Sequence, residues 1–159
     1  MSDNEAKRCS IVVLSGDMDK LMGAFIISTT AAAMGMDTSM FFTFWGLQGL
    51  KKKTATGEGL FGRMLSLFLK DIDGVGPSKM NFGGIGRWMF KKMMGDKGVS
   101  SLPELRGTAI DLGVRLLPCQ MSMDVMEVAQ EDLIDEAEAA VGAASYVLEA
   151  QDADITLFV

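Results

Sequence analysis

The residues CSIVVLSGDMDKLMGAFIISTTAAAMGMDTSMFFTFW, positions 9–45, decide the fold. CSIVVLS (9–15) is a compact β-branched run that stops at Gly16 and Asp17. Such a run has no polar alternation, as expected for a strand covered on both faces inside a parallel sheet. Asp17 and Asp19 then open a segment that closes at Gly35, and these are helix start and stop signals. Apolar residues wrap much of that segment, so the helix is deeply covered. TSMFFTFW (38–45) is a second buried strand. Strand, helix and strand in succession make a βαβ unit, with two parallel strands and a right-handed crossover.

Outward from this unit the chain is less regular. Leu60, Met64, Leu67 and Phe68 have helical spacing. DIDGVGPSKMNFGGIG (71–86) is rich in glycine and reads as a long loop of the kind used as a lid or interface arm. RWMFKKMMGDKG then predicts a short helix with Met89, Met93 and Met94 on its apolar side. Ser101 and Glu104 form a capping-box pattern, with Pro103 in the first turn and Gly113 as the stop. VRLLPC (114–119) predicts a third core strand. A helix within AEAAVGAASYVLEA and a strand ADITLFV follow. The pattern predicts one α/β domain over 1–159, a three-layer α/β/α sandwich with a mostly parallel sheet of about five strands. A Gly/Met-rich insertion covers about 71–98.

Composition excludes several chemistries. The net charge of −6 repels a phosphate backbone, so no nucleic-acid partner is expected. The clusters Lys51–Lys53 and Arg87, Lys91 and Lys92 read as solvated faces. The chain has no histidine, which removes His-dependent triads and His-ligated metals, and two cysteines do not complete a zinc site. No metal and no cofactor are expected. GVGPSK and FGGIG match neither a P-loop nor a dinucleotide fingerprint. The polar start MSDNEAKRCS lacks the apolar core of a signal peptide, so a cytoplasmic location is expected, with Cys9 and Cys119 reduced. Residues 21–50 carry one charge, Asp37, yet MGMDTSM interrupts them at the midpoint. They read as a helix followed by a strand, not as a membrane span. Phe44, Trp45 and Leu47 offer a peripheral membrane contact.

In an open parallel sheet, ligands gather beyond the carboxyl ends of the strands. Three segments meet there: SGDMDK (15–20), FWGLQGL (44–50) and CQMSM (119–123). Cys9 sits at the opposite end of the sheet, too far away for a redox pair. Ser122 is a good N-cap for a helix through MDVMEV, which places Cys119 just before a helix N-terminus that favours a thiolate. With no histidine as base, thiolate attack on a sulfane sulfur suits the site and peptide hydrolysis does not. The alternative for Cys119 is a small buried hydrophobe at a strand end. Cys9 reads as such a spectator. Met121, Met123 and Met126 read as packing residues.

SGDMDKLMGAFIISTTAAAMGMDTSMFFTFWGL and LLPCQMSMDVM together resemble the DsrE/DsrF/DsrH-like family, in particular its DsrE-type, peroxiredoxin-like branch. The MNFGGIGRWMFKKMM insertion fits that branch as well. The resemblance implies a parallel α/β sandwich, homo-oligomers such as trimers, and a sulfur-relay role. A persulfide on one strand-end cysteine is passed to a partner thiol; by motif that residue is Cys119. The implied pocket comprises Ser15, Gly16, Asp17, Lys20, Trp45, Gln120, Met121 and Ser122. The implied partners are small TusA-like sulfur carriers or a rhodanese. A second reading is a non-catalytic scaffold that docks a partner or membrane through the FFTFWGLQGL edge and the methionine-rich insertion. Residues 80–94 carry more aromatic and methionine surface than a small monomer leaves exposed, and burial between subunits is expected there.

Overall fold

Arg8–Val13 forms β1, Met18–Ala33 the helix α1 and Asp37–Phe42 the strand β2 in a computed structural model of the chain, which describes residues 6–52, 57 and 59–159. The strands are parallel and run in register from Arg8 opposite Asp37 to Val13 opposite Phe42. Successive side chains alternate between the faces. Cys9, Ile11, Val13, Met40 and Phe42 face α1 and bury against its Leu21, Ala24 and Phe25. The rings of Phe25 and Phe42 lie 6.1 Å apart. This is the βαβ unit expected from positions 9–45.

Arg115–Pro118 (β3) lies parallel beside β2, and Ile155–Phe158 (β4) lies parallel beside β1. The order is β3-β2-β1-β4, so among the described residues the sheet has four strands where about five were expected. The nearest thing to a fifth is Val141, which makes one parallel bridge to Cys119 before Gly142 starts the next helix. The remaining helices are α2 (Leu60–Ser66), α3 (Ile85–Asp96), α4 (Leu102–Asp111), α5 (Gln120–Met126) and α6 (Ala143–Ala150). α4 packs on α1, and α6 lies on the opposite face of the sheet, giving three layers. The expected capping box is present: the Ser101 hydroxyl accepts from the Glu104 amide, and Glu104 accepts from the Ser101 amide at 2.7 Å.

Two expectations about polar and apolar surface are corrected. Lys51 is buried rather than solvated; its Nζ donates to the Leu69 carbonyl at 2.8 Å. Burial lowers its pKa, against the opposing charges of Asp132 and Asp71. Leu47 is buried in the main core, so the proposed membrane edge retains only Phe44 and Trp45 at the surface. Lys53 and residues 1–5 lie outside the described residues. Among the described residues, no helix is long and apolar enough to cross a membrane.

After β2 the chain turns through a 3-10 helix, Phe44–Gly49, which folds back over the end of β1. Gly46 donates to the Leu14 carbonyl at 2.9 Å. A Cβ at Gly46 would stand 2.0 Å from the Val13 carbonyl oxygen, a backbone atom that cannot step aside. Gly46→Ala is therefore expected to lose more than ~2 kcal/mol of stability, read as a lower urea midpoint.

Candidate functional site

Cys119 stands at the junction of β3 and α5. Its amide donates to the Phe42 carbonyl at 2.9 Å, which extends the β2–β3 pairing by one step. Its carbonyl accepts from the Met123 amide at 3.0 Å, so Cys119 itself is the N-cap of α5. The expected cap, Ser122, lies one turn inside and is fully buried, with its hydroxyl 2.7 Å from that of Thr43. This bond ties the first turn of α5 to the end of β2.

The side chain of Cys119 faces the side of the sheet away from α1. There it is only 2% exposed and clusters with Phe41, Leu117 and Tyr146. Tyr146 belongs to α6. Its ring stacks on Phe41 with centroids 4.4 Å apart, and its hydroxyl lies 2.8 Å from that of Ser10. A buried tyrosine needs a partner for its hydroxyl, and Ser10 supplies it from the central strand. α6 is held at its other end by Glu149, which accepts from both terminal nitrogens of Arg115 on β3. Tyr146 and Glu149 thus fix α6 over the thiol.

The Glu149 carboxyl is raised by burial, but hydrogen bonds from Arg115 and Ser39 and the charges of Arg115 and Arg8 outweigh this, so its pKa is lowered. A carboxyl with a lowered folded pKa stabilises above its unfolded value, about 4.3, and loses that contribution as pH falls through the folded value. Acidification is expected to loosen α6. Reaction of Cys119 with 4,4′-dithiodipyridine, which works in acid, should therefore speed up relative to Glu149→Gln between about pH 5 and about pH 3. The variant should react about fivefold faster than the parent already at neutral pH, as for loss of a partly exposed ion pair. Equal rates for the two proteins at every pH would show that the pair does not hold α6.

The other anticipated pocket residues fall in two places. Ser15, Gly16, Asp17 and Trp45 line a cavity of about 380 Å3 at the carboxyl ends of β1 and β2. Gln48, Lys70 and Asn81 complete its polar wall. Gly16 permits this closure, because a Cβ there would meet Gln48 and the Trp45 carbonyl at 2.5 Å. Asn81 Oδ1 is buried and has no hydrogen-bond partner among the described residues. Lys20 pairs with Asp17 at 3.2 Å and is not part of the cavity wall. Neither Cys119 nor Gln120, Met121 or Ser122 lines it. Gln120 bonds to Asp124 at the surface, and Met121 is exposed. Met123 and Met126 are buried packing residues, as expected. The sequence reading did not single out Gln48, Lys70, Asn81 or Tyr146. Only Tyr146 carried a local signal, as the sole tyrosine in an apolar helical stretch.

Cys9 is also a free, buried thiol. It faces α1, near the amino end of β1, and burial raises its pKa. β2 separates it from β3, and five residues of strand separate it from the level of Cys119. Strand geometry puts the two more than ~15 Å apart, on opposite faces, beyond disulfide reach. Among the described residues no group of acidic, cysteine or histidine side chains is arranged to hold a metal ion.

A doubly covered parallel sheet with a lone cysteine at a strand's carboxyl end is the arrangement that the motifs around Cys119 led one to expect. The chain belongs to the DsrE/DsrF/DrsH-like family, whose model matches residues 5–158. It is 38% identical to the uncharacterized protein YrkE of Bacillus subtilis, over 98% of each chain. It is 35% identical to the sulfur carrier protein DsrE2 of Allochromatium vinosum, over 98% of this chain and 99% of that one. Among solved structures, the YchN protein of E. coli shares the fold with a TM-score of 0.55 at 12% identity, covering 96% of this chain and 99% of that chain.

Proposed function

We propose that this protein is a sulfur carrier that holds sulfane sulfur on Cys119 as a persulfide. The observation that carries this reading is the position of Cys119, a free thiol at the end of β3 and the N-cap of α5. Membership of the family and the name borne by the Allochromatium relative support it. The donor and acceptor are proteins of the rhodanese or TusA-like type.

In the loading step the Cys119 thiolate attacks the outer sulfur of a donor persulfide. A bond forms between Cys119 Sγ and that sulfur, and the bond from it to the donor cysteine breaks. The donor leaves as a thiolate, and no external oxidant is needed. An acceptor thiolate then attacks the outer sulfur of the Cys119 persulfide and releases Cys119. Neither step needs a histidine. Because the thiol is covered in the closed chain, both steps require α6 to move aside, and closure afterwards shields the persulfide from water and small thiols. Incubation with a persulfidated rhodanese, followed by peptide mass spectrometry, tests the proposal. One added sulfur on the Cys119 peptide is expected; sulfur on Cys9, or on neither cysteine, refutes it.

A further inference from the structure

An open parallel sheet binds ligands beyond the carboxyl ends of its strands, where successive connections pass to opposite faces. In this sheet that point is the end of β1. α1 follows β1 on one face and α6 precedes β4 on the other. The Leu14 and Ser15 amides both donate to the Val159 carbonyl, which closes the β1 and β4 ends together. The 380 Å3 cavity opens here, beside Ser15, Gly16 and Asp17. Its volume falls within the range of about 300–1,000 Å3 usual for small-molecule sites. Cys119 is not in its wall, so its chemistry is separate from sulfur transfer.

Two carboxamides in this wall have nothing to bond. Gln48 is only 7% exposed, and its side-chain amide has no hydrogen-bond partner among the described residues. Asn81 Oδ1 is in the same state. A buried polar group left unpaired costs about 1–3 kcal/mol, and here two surround one cavity. Both are held in place. Gln48 rides on the 3-10 helix Phe44–Gly49 and packs over Gly16. The Asn81 carbonyl accepts from the Gly84 and Gly86 amides at 2.8 Å and 3.1 Å. Its side chain lies over Gly76, where a Cβ would stand 2.5 Å from Nδ2. The Gly76 carbonyl accepts from the Met18 amide at 2.8 Å, which pins this loop to the start of α1. The charged groups are nearly all committed. Asp17 pairs with Lys20 at 3.2 Å and accepts from the Ser15 hydroxyl at 3.0 Å. Asp19, in the adjoining groove, accepts from the Ser78 amide and hydroxyl at 2.7 Å. Lys70 has no ion pair among the described residues. Trp45 and Phe68 add aromatic surface.

We propose that this cavity binds the adenine base of a nucleoside or nucleotide. A carboxamide presents a donor beside an acceptor. Adenine presents the complementary pair twice, its N6 amino group beside N7 on one edge and beside N1 on the other, and Asn and Gln are the side chains that read such an edge. One adenine can therefore satisfy Gln48 and Asn81 together, while its face stacks on aromatic surface. Guanine fits less well, because its N7 and O6 are both acceptors and leave one carboxamide oxygen unpaired. A phosphate is not gripped by the start of α1, where the Met18 amide is already bonded and Asp17 and Asp19 stand. Lys70 is the group that would meet one. The glycine stretches GVGPSK and FGGIG match no nucleotide fingerprint; the two unpaired amides carry this assignment.

Calorimetric titration of the full chain with adenosine, AMP, GMP and CMP tests this. AMP is expected to bind on the order of tenfold tighter than GMP or CMP. In Trp88→Phe, which leaves Trp45 as the sole tryptophan, AMP should quench the remaining emission. Asn81→Ala and Gln48→Leu should each weaken AMP binding on the order of tenfold. Asn81→Ala removes an unpaired buried acceptor, so the free protein should keep its urea midpoint, which separates loss of the contact from loss of fold. Tighter binding of AMP than of adenosine, abolished by Lys70→Ala, assigns the ligand as a nucleotide; equal binding assigns it as a nucleoside. The proposal is overturned if neither AMP nor adenosine produces heat or quenches Trp45, which would leave the amides to water alone. It is also overturned if AMP, GMP and CMP bind equally, or if both amide variants bind AMP as the parent does.

Discussion

Cys119→Ser and Cys119→Ala take up no sulfur from a persulfidated rhodanese, while Cys9→Ser takes up as much as the parent chain. The expected contrast is all-or-none, because a hydroxyl or methyl group cannot replace the attacking thiolate. Serine alone is an imperfect control. Its hydroxyl would enter a cluster of Phe41, Leu117 and Tyr146, where an unpaired hydroxyl costs about 1–3 kcal/mol. Alanine removes the sulfur without adding a polar group, so agreement between the two variants separates chemistry from stability. Cys9 supplies the internal reference. It is equally buried but packs on the α1 face, and its thiol pKa is raised by that burial. Sulfur loading that survives in Cys119→Ala and disappears in Cys9→Ser would reverse the assignment.

Tyr146→Ala should raise the alkylation rate of Cys119 on the order of 100-fold. A covered thiol reacts only in the fraction of molecules that have opened. Truncating a buried aromatic side chain costs about 3 kcal/mol or more, and here that loss falls on the contact between α6 and the sheet. The stacking on Phe41 and the bond to Ser10 both disappear. Such an energy, applied to local opening, increases the open fraction on the order of 100-fold. The reactivity of Cys9 distinguishes local from global opening. Lifting α6 exposes Cys119 alone, because Cys9 stays covered by α1 on the other side of the sheet. If both thiols accelerate together, the substitution has unfolded the chain. If neither does, Tyr146 does not cover Cys119.

The parts of this architecture that were legible in the sequence are local ones. The β1–α1–β2 unit could be read because a β-branched run, acidic residues at a helix start and Gly35 at its end all occur within one short stretch. The Ser101–Glu104 cap was legible because its two reciprocal bonds join residues three apart. Cys119 at a strand end was legible for the same reason. The start of α5 was not. Serine is a better N-cap than cysteine in general, but the Ser122 hydroxyl is taken by Thr43, which is distant in sequence. The helix starts three residues earlier than that preference suggests. The division of the expected pocket was equally hidden. Which face of the sheet receives a strand-end side chain depends on register, and the cavity wall at Asn81 and Lys70 comes from a glycine-rich loop with no periodicity. Lys51 was misread because its burial depends on a partner distant in sequence, the Leu69 carbonyl, which no neighbouring residue announces.

The strand order also sets a sequence of assembly. β1 finds β2 after a connection of ordinary length, but it must wait for β4, whose Ile155 pairs with Cys9 across almost the whole chain. Closing so long a loop is entropically slow, and contacts that depend on it form late. α6 lies on that same return path, immediately before β4. The cover of the thiol and the outer strand are thus one late-forming unit laid over an early core. In native hydrogen exchange their amides would open together, below the energy of global unfolding, while those of β1, β2 and α1 stay closed. Access to Cys119 would then be a reversal of the last step of folding.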